Sequence, residues 1–104
     1  MILEVEDARD KNFHEVHPGL VLKEELKARK LSAAAFALML RVPPQRIREI
    51  VAGKRAITPE TALRIGTALG TGVRLWLAMQ QAYDLHKIET ELGDKVRAEV
   101  EPSA

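Results

Sequence analysis

The chain contains no cysteine. It therefore has no disulfide framework and no thiolate metal site, a composition compatible with a reducing cytosol. Its apolar runs fall well short of the roughly 18 residues that a membrane span requires. The first residues are acidic rather than basic and then apolar, which does not fit a signal peptide. A cytoplasmic protein with no membrane partner is expected. The glycines stand singly, at the ends of helical stretches, so there is no glycine-rich loop to cradle phosphate. His14, His17 and His86 have neither a cysteine nor a well-spaced carboxylate to complete a metal site. Ser32 lacks a histidine or acidic partner at a readable spacing. Glu24 and Glu25 are neighbours on a helix and point about 100° apart, as a solvated face would. With no convergent groups, neither an enzyme, a cofactor nor a small-molecule substrate is expected.

What the chain does have is helical punctuation. Its 104 residues predict one domain with a modest core. Pro18 marks the start of a helix over about 18–29, with Leu22 and Leu26 facing inward at i, i+4. Ser32 is an N-cap for a helix to Leu40, with Phe36 and Leu40 on one face. Arg41-Val42-Pro43 must turn, because a residue before proline is pushed out of the helical region. Pro44 then opens a helix over about 44–52, stopped by Gly53 as a left-handed cap. Two helices of this length joined by so short a turn match a helix-turn-helix unit. Thr58-Pro59-Glu60 starts a fourth helix over 59–69, ended by Gly70. A fifth is predicted over 73–83 and carries Trp76, Leu77, Gln80 and Tyr83. Leu85, Ile88 and Leu92 then predict a short helical extension over 85–92, interrupted by Gly93. The predicted organisation is thus an arm at 1–13, a helical domain at 14–92 and a tail at 93–104.

The third helix decides what the chain could bind. With Ile47 placed inward, Ile50 and Val51 share its buried stripe at about 100° per residue. Gln45, Glu49 and Ala52 fall opposite, with Arg46 and Arg48 on the flanks. Such side chains can read base edges in a major groove, although an ordinary solvated helix face would look similar. Charge separates the two readings. The net charge is only +1, yet residues 41–64 alone hold six basic and two acidic groups, while 1–16 and 84–104 are each net −3. A local basic patch is the footprint of a phosphate-facing surface. Lys54 and Arg55 directly follow the reading helix, where they could hold flanking phosphates.

With all five helices placed, the Ser32…Phe36-Ala37…Leu40…Val42…Ile47…Ile50…Gly53-Lys54-Arg55 spacing resembles the Cro/repressor-like (XRE) helix-turn-helix family. Further matches lie at His17-Pro18-Gly19, Ala56-Ile57-Thr58, Ala62-Leu63-Arg64-Ile65, Ala68-Leu69-Gly70, Trp76-Leu77, Gln80 and Tyr83-Asp84-Leu85. These are similar to the HigA group of antitoxins, over roughly residues 17–88. The resemblance implies an all-α fold: a five-helix Cro/repressor-like domain with a short C-terminal helical extension. It also implies a homodimer that binds a palindromic double-stranded operator and neutralises a RelE/HigB-like ribonuclease toxin by direct contact. The DNA-binding set would be Ser32, Pro44, Gln45, Arg46, Arg48, Glu49, Lys54 and Arg55. The chain departs from the family at Gly72-Val73-Arg74, where a Ser-Pro-Glu helix start is frequent, and at the double proline Pro43-Pro44.

Dimerisation is expected through the fifth helix and its extension, at Trp76, Leu77, Tyr83 and Ile88, with Trp76 able to serve as core or interface anchor. Two other readings stay open: a stand-alone regulator with no toxin, and a protein-interaction module on the same fold. Glu49 on the reading face favours the last, since it repels phosphate unless it accepts from a cytosine amino group.

Overall fold

Three of the helices begin on a proline, and three have a side-chain cap at the residue before. A computed structural model describes residues 13–103. The predicted arm lies outside the described residues except for Phe13, which opens a 3-10 turn at Phe13–Glu15. Five α-helices come after it: α1 (Pro18–Ala28), α2 (Ala33–Leu40), α3 (Pro44–Val51), α4 (Pro59–Leu69) and α5 (Val73–Glu99). His17 Nδ1 accepts the Gly19 amide at 2.9 Å, and Ser32 Oγ accepts that of Ala35 at 3.0 Å. Thr58 Oγ1 accepts the Thr61 amide at 3.3 Å. These contacts satisfy amides that a helix start leaves orphaned. Pro43 precedes α3 and Gly72 precedes α5, and neither offers a cap.

The apolar spacing of each helix closes into one core. Leu22 and Leu26 of α1 meet Phe36, Ala37 and Leu40 of α2 and Ile47 and Ile50 of α3; Ala62, Ile65 and Leu69 of α4 and Trp76 and Met79 of α5 complete it. Gly19 lets α1 approach α3 closely, since a Cβ there would lie 1.6 Å from the Ile50 carbonyl oxygen. Two arginines cap the far ends of helices. Arg29 donates to the Leu69 carbonyl at 3.1 Å and Arg64 to the Leu40 carbonyl at 2.9 Å. Each joins two helices and satisfies a terminal carbonyl at once. Among the described residues, no helix is long and apolar enough to cross a membrane.

The fifth helix differs from expectation. It is one continuous element of 27 residues rather than helices at 73–83 and 85–92, and Gly93 does not interrupt it. A lone glycine costs a helix only about 1 kcal/mol relative to alanine. Around it, Arg97 reaches Asp94 at 3.2 Å and Lys95 reaches Glu99 at 2.9 Å, while the Arg97 guanidinium lies over Gly93. The segment from 93 that was expected as a tail is therefore helical to Glu99. At about 1.5 Å per residue α5 is about 40 Å long, and it contributes to a long axis of 52 Å against 29 and 22 Å for the other two.

Candidate nucleic-acid interface

The chain leaves α2 through Arg41 in a left-handed conformation (φ 58°) and enters α3 through two prolines. Ile47 and Ile50 anchor α3 in the core, which turns Gln45, Arg48 and Ala52 to solvent. The exit from α3 is equally constrained. Gly53 takes φ 75° and donates to the Ile50 carbonyl, while the Lys54 amide donates to the Glu49 carbonyl at 2.8 Å. This left-handed cap, which glycine accepts without steric cost, directs Lys54 and Arg55 back along the outward face of α3.

Glu49 joins the helix to that loop. Its Oε1 accepts from Arg55 Nε at 2.8 Å, and its Oε2 accepts from Gln45 Nε2 at 3.3 Å. The hydrogen bond from Gln45, then that from Arg55, holds the Glu49 carboxyl below its usual range. Glu49 is thus an ionised group whose charge is offset by a neighbour, which removes the objection to an acidic residue facing phosphate. A second contact fixes the loop from behind. The buried Gln80 of α5 accepts from the Ile57 amide at 2.8 Å and donates to Asp84 at 2.9 Å.

The structure brings most of the predicted contact residues onto one surface and divides their roles. Pro44, Gln45, Arg48 and Lys54 are exposed, and Arg48 and Lys54 have no ion pair among the described residues. Arg55 is tied to Glu49 rather than projecting freely. Arg46 is half-buried on the other flank, with Nη1 3.9 Å from Glu60 of α4. Ser32 is exposed at the start of α2, its oxygen engaged by the cap.

The predicted dimer residues fare differently. Trp76 is 1% exposed and donates through Nε1 to Thr71 Oγ1 at 2.8 Å. It is a core residue, so a partner cannot reach it, and its placement as an interface contact is corrected. Leu77 packs half-buried against the core. Tyr83 meets the His17 ring edge-on at 5.0 Å. Ile88 alone of the four is exposed, and it belongs to a longer stripe of Leu85, Ile88, Leu92 and Val96 along the outer half of α5.

Sequence reasoning did not assign the roles of Gln80, Arg29 and Arg64. A glutamine on a predicted helix beside a Trp-Leu pair signals a buried position at most. The two arginines carry no signal at all, since their carbonyl partners are set by the fold.

Comparison with known proteins places this geometry. The family model described as helix-turn-helix matches residues 22–76. Virulence-associated protein I of Dichelobacter nodosus is 49% identical over 77 residues, covering 73% of this chain and 71% of that protein. An addiction module antidote protein of the HigA family from Coxiella burnetii superposes with a TM-score of 0.81 at 40% identity, over 86% of this chain and 98% of that one. The chain belongs to the HigA family of helix-turn-helix proteins. Pseudomonas aeruginosa antitoxin HigA, solved with the higBA promoter, matches with a TM-score of 0.83 at 31% identity, over 86% of this chain and 99% of that one. The matched residues 22–76 contain α2, α3 and α4 whole, so the surface built by α3 and the loop after it lies within the family's helix-turn-helix.

Proposed function

We propose that the protein is the antitoxin of a type II toxin–antitoxin pair. It acts in the cytoplasm by binding rather than by catalysis. As a homodimer it binds a palindromic operator in its own promoter, each subunit laying α3 in the major groove of one half-site. A single eight-residue helix covers few base pairs, and two-fold pairing supplies a second half-site about 34 Å away, one turn of DNA. It neutralises a RelE/HigB-like ribonuclease toxin by direct binding.

One observation carries the DNA reading: the outward face of α3 and the basic loop after it form a single surface, joined through Glu49 and Arg55. Base-reading groups and phosphate-holding groups are thereby adjacent, as groove recognition requires. The P. aeruginosa relative solved with promoter DNA supports this reading. The toxin partner is supported by family membership.

A titration on the fragment upstream of the gene tests the first part. Lys54→Ala is expected to weaken binding to all DNA alike and to flatten the salt slope by about one unit. Arg48→Ala is expected to cost about 1–3 kcal/mol on the operator only. Binding indifferent to salt and to both substitutions would leave a protein-interaction module instead. Co-expression with the small neighbouring frame tests the second part. DNA binding without rescue or co-purification would leave a stand-alone regulator.

A further inference from the structure

We infer that Gln45 reads an adenine, and that Glu49, although it lies on the reading face, contacts no base and instead positions Gln45 and Arg55. This inference rests on the operator-binding reading above and goes beyond it to the composition of the half-site.

The Gln45 amide is oriented by a hydrogen bond along α3. Glu49 Oε2 sits 3.3 Å from Gln45 Nε2. The nitrogen must be the atom turned toward the carboxylate, because the amide oxygen there would set two acceptors against each other. That leaves Gln45 with its Oε1 and its second N–H directed away from Glu49. One acceptor beside one donor complements the N6 amino group and N7 of adenine in the major groove. Guanine offers O6 and N7, two acceptors, and would oppose Gln45 Oε1 with O6. The clamp therefore selects as well as orients.

Glu49 is meanwhile occupied. To accept from a cytosine amino group it would have to turn an oxygen away from Arg55 Nε, 2.8 Å from it, or from Gln45. Releasing Arg55 would also uncover a bare carboxylate among phosphates. Arg48 is the complement of Gln45. It is exposed on the same face, has no ion pair among the described residues, and its forked donors match guanine O6 and N7. Three residues of helix rise about 4.5 Å, against about 3.4 Å per base step. The half-site should accordingly hold an adenine with a guanine one or two base pairs away.

The test first maps the operator with the wild-type protein by footprinting on the upstream fragment. No protected site would overturn the operator-binding reading itself. With a site in hand, affinities are measured for operators substituted at each position, and the readout is the ratio of affinities for paired operators, from which any loss of folded protein cancels. Wild type should lose about 10-fold or more when the adenine is replaced. Gln45→Ala should lose that discrimination and keep that at the guanine, and Arg48→Ala should do the reverse. Glu49→Ala should weaken the adenine preference while leaving the guanine preference and every cytosine position unchanged. The inference is overturned if Gln45→Ala keeps the adenine preference, if Glu49→Ala abolishes a preference at a C·G pair, or if Glu49→Ala leaves all ratios as in wild type.

Discussion

The main-chain N–H of Ile57 donates to Gln80 Oε1 at 2.8 Å, across 23 residues of sequence. Ile57 closes the loop that carries Lys54 and Arg55, and Gln80 lies in α5, so this one bond fixes the phosphate-facing loop to the longest helix. Both groups are buried. Gln80→Leu leaves the Ile57 amide without an acceptor and should cost about 1–3 kcal/mol of stability, read as a lower urea midpoint. Operator affinity measured where the variant remains folded should also fall, because Lys54 and Arg55 are no longer held. Unchanged affinity would separate the loop from α5.

Gly19 permits the closest approach between α1 and α3. A Cβ at this position would meet the Ile50 carbonyl oxygen at 1.6 Å, and a backbone atom in the core cannot step aside as a flexible side chain can. Gly19→Ala is expected to destabilise by about 3 kcal/mol or more, beyond ordinary overpacking. Ile50 lies next to Glu49, so the variant should also lose operator binding in proportion to its unfolded fraction. A urea midpoint within error of wild type would refute the packing argument.

Much of this was legible from residue order alone, for identifiable reasons. Pro18, Pro44 and Pro59 each mark a helix start because proline's missing N–H is harmless only there. Leu22, Leu26, Phe36, Ile47 and Ile65 fall inward because helical periodicity is a local property. The outward set on α3 comes from the same periodicity. The part that was not legible depends on fold geometry. Trp76 satisfies the spacing of either a core or an interface residue, and only the Thr71 hydroxyl and the packing of its neighbours decide. Arg46 and Arg48 look equivalent on a helical wheel, but α4 brings Glu60 to Arg46 alone. Gly93 carries the sign of a helix end, yet α5 runs through it to Glu99, because one glycine costs a helix only about 1 kcal/mol.

His17 should make stability depend on pH. Burial, the largest influence, lowers its pKa from 6.5; Asp84 nearby opposes the shift and Lys87 adds to it. The unfolded chain therefore binds a proton at His17 more readily than the native one. The stabilisation is fully present above pH 6.5 and is lost as pH falls from there through the lower native value. His17→Asn keeps a capping acceptor for the Gly19 amide and removes the titration. It should lower stability at pH 8, where the Tyr83 contact is lost, and the gap to wild type should narrow toward pH 5. A gap that is constant with pH would count against a role for His17 in the acid limb.

The exposed stripe on α5 yields a prediction about assembly. Leu85, Ile88, Leu92 and Val96 recur at spacings of three and four, which holds them within about 80° of helix surface. All four are exposed, with Ile88 at 47% and Leu85 at 58%. With Trp76 buried and Leu77 packed on the core, this outer stripe is the longest run of exposed apolar residues that α5 offers for pairing. Leu92→Glu should therefore change the folded monomer little, within about 0.5 kcal/mol as for other surface sites, while placing a charge in the interface. If α5 pairs two copies, wild type sediments as a dimer at micromolar concentration and its urea midpoint rises with concentration. The variant should sediment as a monomer with a midpoint independent of concentration. Its affinity for the full operator should fall by about 100-fold or more, because the second half-site is no longer bound from the same complex. Its affinity for an isolated half-site should not change, since α3 and the Lys54-Arg55 loop hold that half-site without Leu92. A variant that stays dimeric would move the interface off the stripe, and a monomeric variant with undiminished operator affinity would make pairing irrelevant to DNA recognition.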